Sequence, residues 1–170
     1  EIESRNDISL SVNYSFKWSK LNWVGVPIMC ANMDTTGTFE MAKVLSENQM
    51  LTAVQKFYTV EQWREENTNP EFYMITIGSD DYEYLNDVMK LKPSIKFIVI
   101  DVANGYRVSF INFVKKIREK YPNKIIIAGN VTTPELTIEL INSGADIVKI
   151  GIGGGSACLT TSVTGIGYPQ

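Results

Sequence analysis

The chain has 170 residues, 44% of them hydrophobic and 21% charged, with a net charge of −3, an ordinary composition for one folded domain. Mild acidity with no block of Lys or Arg argues against a nucleic-acid or membrane surface, and no apolar run approaches the roughly 18 residues of a membrane span. No signal peptide is expected at Glu1, and two isolated cysteines, Cys30 and Cys158, point to a reducing compartment, expected to be the cytoplasm.

Taken in chain order, residues 1–25 read as a polar N-terminal arm with two short strands around 12–18. Six Ile/Val-rich apolar runs follow, at 26–33, 51–54, 72–77, 97–103, 124–131 and 147–152. They are nearly continuous rather than alternating, as strands buried on both faces should be, and Cys30 inside the first reads as a packing residue. Helical spacing fills the gaps. Thr59 precedes Gln62 in a capping-box spacing before Trp63. Phe110, Phe113, Val114, Ile117 and Tyr121 form an apolar stripe stopped by Pro122. The neighbouring Lys115, Lys116, Arg118 and Lys120 read as the solvated face of that helix. Thr132 or Thr133 starts the next helix ahead of Pro134 and Glu135, and Gly144 closes it. A strand recurs every roughly 21 to 28 residues, one βα unit, which means a parallel α/β sheet, either a barrel or a doubly wound sheet.

In such folds function collects at the carboxyl ends of strands. Asp101 ends one apolar run, where it reads either as a helix cap or loop carboxylate or as a site residue. The richest strand end is Gly151-Ile152-Gly153-Gly154-Gly155-Ser156-Ala157-Cys158-Leu159-Thr160-Thr161. Its glycines allow close backbone approach, and their N–H and C=O groups can line a site for an anion or for a cation such as K+. It is neither a Walker A loop nor a full dinucleotide fingerprint. With no histidine in the chain, chemistry must rest on Cys, Thr, Tyr, Lys or a carboxylate. Cys158, just past the glycines, is a candidate thiolate nucleophile, against an inert loop thiol as the plainer reading.

Gly154-Gly155-Ser156-Ala157-Cys158-Leu159-Thr160, preceded by Gly144-Ala145-Asp146-Ile147-Val148-Lys149-Ile150-Gly151, resembles the active-site loop of the IMP dehydrogenase and GMP reductase family. The Ala31-Asn32-Met33-Asp34-Thr35 run, the Thr164-Gly165-Ile166-Gly167-Tyr168-Pro169-Gln170 run and the short connection from Trp63 to Phe72 resemble the reductase branch. The resemblance implies a (β/α)8 TIM barrel, of which about six units lie within residues 26–170 as a partial catalytic domain. It also implies NADPH-dependent reduction of GMP to IMP with release of ammonia. Cys158 matches the thiolate that attacks C2 of the purine, and Thr160 the threonine that assists proton transfer to the departing ammonia. Lys56, Asp101, Val102, Ala103, Ile152 and Gly153 match cofactor positions, and Ser4 and Arg5 an arm that touches NADPH in a neighbouring subunit of a homo-oligomer, expected to be a tetramer. Met33, Asn130 and Ser156 are the matching substrate positions. The carbonyls of Gly153, Gly155 and Cys158 match those that bind K+. Gln55 and Phe57 stand where the family has His, Gly154 where it has Pro, and Thr161 where the reductases have Arg beside the cation.

A barrel of this kind normally takes about 250 residues, so the chain is expected to be a fragment of a longer enzyme or a gene remnant, inactive alone. Two other readings remain open: an IMP dehydrogenase core without regulatory domains, and a non-catalytic remnant that associates with full-length subunits.

Overall fold

A computed structural model describes residues 4–168. Ser4 caps a single 3-10 turn, Arg5–Asp7, and its backbone N–H in turn donates to Asp7. The arm continues as an antiparallel hairpin of β1 (Val12–Ser15) and β2 (Asn22–Gly25), with Val12 opposite Gly25 and Ser15 opposite Asn22. The second strand therefore lies beyond the 12–18 window expected from sequence. Lys20, at a φ of 59°, turns the chain between the two strands.

The six apolar runs form one parallel sheet in strict sequence order: β3 (Met29–Cys30), β4 (Leu51–Val54), β5 (Tyr73–Ile77), β6 (Phe97–Asp101), β7 (Ile125–Val131) and β8 (Ile147–Ile150). Helices α1 (Phe39–Glu47), α2 (Val60–Glu65), α3 (Tyr82–Leu91), α4 (Val108–Lys120) and α5 (Pro134–Asn142) occupy the connections, and α6 (Thr160–Thr164) follows β8. The sheet curls as a half-barrel. The caps read from sequence are present: Thr59 and Gln62 bond each other's backbone at the start of α2, Thr133 accepts from Leu136 N–H ahead of Pro134, and Gly144 leaves α5 at a φ of 110°. The first run, 26–33, yields only a two-residue strand. Pro27 has no N–H to give, and β3 has a neighbour on one side only.

Alternation along each strand sorts side chains into two cores. Ile98 and Ile100 of β6 face the helices, packing with Phe110, Val114 and Ile117 of α4. Phe97 and Val99 face the concave side with Leu51, Met74, Ile125 and Ile127. The hairpin floors that concave side through Trp23, which is 2% exposed, meets Phe72 and Phe97 edge-on and donates from Nε1 to the Glu71 carbonyl at 2.9 Å.

Arg118 is not on a solvated face: it is 9% exposed and pairs with the fully buried Asp146 carboxylate at 2.6 Å. It also donates to the carbonyls of Gly144, Tyr121, Pro122 and Lys124. Asp146 in turn accepts from the N–H groups of Trp18 and Ile126, so one buried pair ties the arm, α4 and β8 together. The apolar face of α4 is wide enough to take Arg118, which lies four residues after Val114.

Candidate active site at the strand ends

The carboxyl ends of the strands carry a polar cluster in which three neighbouring strands hold one row. Asp101 of β6 is in register with Gly129 of β7, and Gly129 with Lys149 of β8. Residues in register across a sheet share a face, and the middle one has no side chain. A Cβ at Gly129 would lie 2.5 Å from the Lys149 carbonyl oxygen and 2.6 Å from its Cβ. The bare glycine lets the Lys149 ammonium reach over β7 and form an ion pair with Asp101. Asn32, from the segment after β3, joins both: its Nδ2 donates to Asp101 at 2.9 Å and its Oδ1 accepts from Lys149 at 3.0 Å. Nearby, the Asn130 side-chain oxygen is buried with no hydrogen-bond partner among the described residues.

Of the residues singled out from sequence, Lys56, Asp101, Val102 and Ala103 line one cavity of about 360 Å³ with Gly78, Ser79, Asp80 and Asp81. Asp81 holds the Gly78 N–H at 2.7 Å. Ile152 and Gly153 do not line this cavity. Ile152 is buried and its carbonyl accepts from Tyr168 N–H at 2.9 Å, which closes the cysteine loop on itself. Met33 and Ser156 are exposed, as are Ser4 and Arg5. Lys149 and Asn32 carry no role in the sequence reading, although Lys149 stands out as the one charge in the strand Ile147-Val148-Lys149-Ile150. A further cavity, about 520 Å³, lies elsewhere: it is an apolar trough between the hairpin and the two sheet edges, lined by Phe16, Trp23, Met29 and Ile147.

On the cysteine loop, Cys158 is exposed and its N–H donates to the Gly155 carbonyl at 3.1 Å. Its Sγ lies 3.3 Å from the Thr160 hydroxyl, and that hydroxyl, with the Thr160 backbone N–H, lowers the thiol pKa from its ordinary value. As a thiol the sulfur donates to Thr160; once ionised it accepts from it. Cys30 contrasts with this: it is half-buried and donates to the Thr36 carbonyl at 3.2 Å. Thr161 fills the space left by two glycines, since a Cβ on Gly153 or Gly167 would collide with its hydroxyl.

Comparison with known proteins fits this arrangement. The family described as IMP dehydrogenase / GMP reductase domain matches residues 74–170. GMP reductases of Yersinia pestis (strain Pestoides F) and Yersinia pseudotuberculosis serotype O:1b (strain IP 31758) are each 51% identical over 176 residues, covering 99% of this chain. The chain spans about half the length of these relatives, 51% of each. The crystal structure of inosine 5′ monophosphate dehydrogenase from Legionella pneumophila superposes with a TM-score of 0.77 at 28% identity, over 98% of this chain and 52% of that one. With its curled parallel sheet and its cysteine loop, the chain belongs to the IMP dehydrogenase / GMP reductase domain family.

Proposed function

We propose that the protein of which this chain forms a part is a GMP reductase that converts GMP to IMP with NADPH and releases ammonia. The observation that carries this reading is the pair of Cys158 and Thr160 on a glycine-rich strand end: an exposed thiol of lowered pKa with a hydroxyl 3.3 Å away. A thiolate needs no histidine to act as a nucleophile. Cys158 adds to C2 of the purine, and Thr160 passes a proton to the departing ammonia, leaving a thioimidate. NADPH, when bound, supplies the hydride to that carbon, after which the C–S bond breaks and the thiolate returns. The balance is GMP, NADPH and two protons to IMP, NADP+ and ammonium.

The strand-end cavity has the donor set for a dinucleotide. Lys56 offers a cation, and Asp80 and Asp81 offer acceptors for hydroxyl groups. The ion pair with Lys149 and the bond from Asn32 fix the position of the Asp101 carboxylate at the cavity wall. Met33, Asn130 and Ser156 face the substrate in this reading, with Ile152 and Gly153 backing the cofactor. Gly153, Gly155 and Cys158 present carbonyls to a monovalent cation, K+, and Ser4 and Arg5 of the arm reach a neighbouring subunit of a cytoplasmic homotetramer.

The test is a turnover assay on the full-length protein, following loss of NADPH absorbance with GMP. GMP-dependent oxidation that disappears in Cys158→Ser supports the reading. Reduction of NAD+ with IMP in place of that reaction would assign an IMP dehydrogenase, and neither reaction in a folded protein would assign a non-catalytic remnant.

A further inference from the structure

A second cavity of about 400 Å³ adjoins the strand-end cavity and shares Ser79, Val102 and Ala103 with it. Its polar wall carries Arg107, Ser79 and Ser109, and Thr164 and Ile166 of the segment after the cysteine close it from the other side. Among the described residues, none of the Arg107, Ser79 and Ser109 side chains has a hydrogen-bond partner, and Arg107 has no ion pair. The two compartments differ in charge. The first holds Lys56 against the carboxylates of Asp80, Asp81 and Asp101. The second holds the Arg107 guanidinium and no carboxylate.

We propose that the Arg107 cavity receives a phosphate group of the dinucleotide, with Arg107 as its charged contact and the Ser79 and Ser109 hydroxyls as further donors. A guanidinium presents paired donors matched to phosphate oxygens, and hydroxyls complete such a shell. The acidic compartment suits the sugar hydroxyls and the nicotinamide, whose oxidised ring is cationic, whereas an anion there would face like charge. An extended dinucleotide lying across both compartments puts its phosphates beside Arg107. This rests on the NADPH-using reading above and adds to it the residue that reads the cofactor's negative charge.

The experiment measures NADPH and NADH dissociation constants by fluorescence titration of the full-length protein, wild type against Arg107→Ala. Arg107 is exposed, so the substitution spares the core; thermal melts of the two proteins check this. NADPH binding is expected to weaken roughly tenfold or more, the scale of one lost charge-assisted contact, with partial recovery in Arg107→Lys. Loss confined to NADPH places the 2′-phosphate in the cavity; equal loss for NADH places the pyrophosphate there. Unchanged NADPH affinity in Arg107→Ala, with wild type binding tightly, overturns the assignment and leaves the reductase reading standing. No NADPH binding by wild type overturns both.

Discussion

Replacing Thr160 by alanine removes the hydroxyl that sits 3.3 Å from the Cys158 sulfur and helps lower its pKa. The thiol pKa should then rise toward its ordinary value and the fraction of thiolate at neutral pH should fall. The pH profile of iodoacetamide alkylation reports this directly: in wild type Cys158 labels first and Cys30 lags, and in Thr160→Ala the Cys158 profile moves to higher pH. Labelling of Cys30 ahead of Cys158 in native protein would show that position on the loop does not confer reactivity. A second residue carries stability instead. Arg118→Ala leaves the Asp146 carboxylate buried without its ion pair, a change of the kind that costs about 3–5 kcal/mol. Denaturant unfolding of the full-length protein measures it, and a loss under about 1 kcal/mol would mean that water or another cation replaces the guanidinium.

At the scale of elements, α2 and α3 are joined by a chain of polar contacts inside apolar packing. Trp63 Nε1 donates to the Tyr84 hydroxyl at 2.7 Å, and that hydroxyl donates to the Tyr58 carbonyl at 2.7 Å. Burial pushes Tyr84 up to about 12 from its usual 10, and burial, with the charge of Glu66, does the same for Tyr73. In both cases the protonated phenol is the form the fold prefers. Their contribution is whole below pH 10 and is lost as pH rises from 10 to about 12. Melting temperature should fall across that window while the Tyr73 and Tyr84 phenols titrate late by ultraviolet absorbance; titration of every tyrosine near pH 10 would contradict it. Local signals made much of this layer legible in the sequence. The Thr59–Gln62 and Thr133–Pro134 starts depend on residues three apart or fewer, and five of the six apolar runs became strands with only their ends trimmed. Two features escaped because their causes are not local. Lys149 reads as a stray charge until its partners Asp101 and Asn32, 48 and 117 residues away, are folded against it. Arg118 reads as one more surface cation until Asp146 is placed under it.

At the scale of the whole molecule, the sheet has two open edges among the described residues, β3 and β8, with the apolar trough between them. Ile28 and Ile150 beside those edges are 53% and 59% exposed. Unpaired parallel edges and apolar surface of this kind recruit other chains, and a stability of about 5–15 kcal/mol leaves little margin for their exposure. Residues 1–170 expressed alone should therefore self-associate and bind a hydrophobic dye, and should fail to oxidise NADPH with GMP. Light scattering that shows a monodisperse monomer with a cooperative melt would contradict the structural part, and GMP-dependent turnover the chemical part.

The bridge between Ile152 and Tyr168 makes a noose of the cysteine loop. Both ends are fastened to the same strand end, and α6 lies within the ring. Cys158 sits on one limb, and Thr164 and Ile166, on the other, form part of the wall beside Arg107. Tying the ends lowers the conformational freedom of the loop relative to one with free ends. The cavity wall and the Cys158 sulfur therefore belong to one closed segment of chain whose two ends meet at Ile152 and Tyr168.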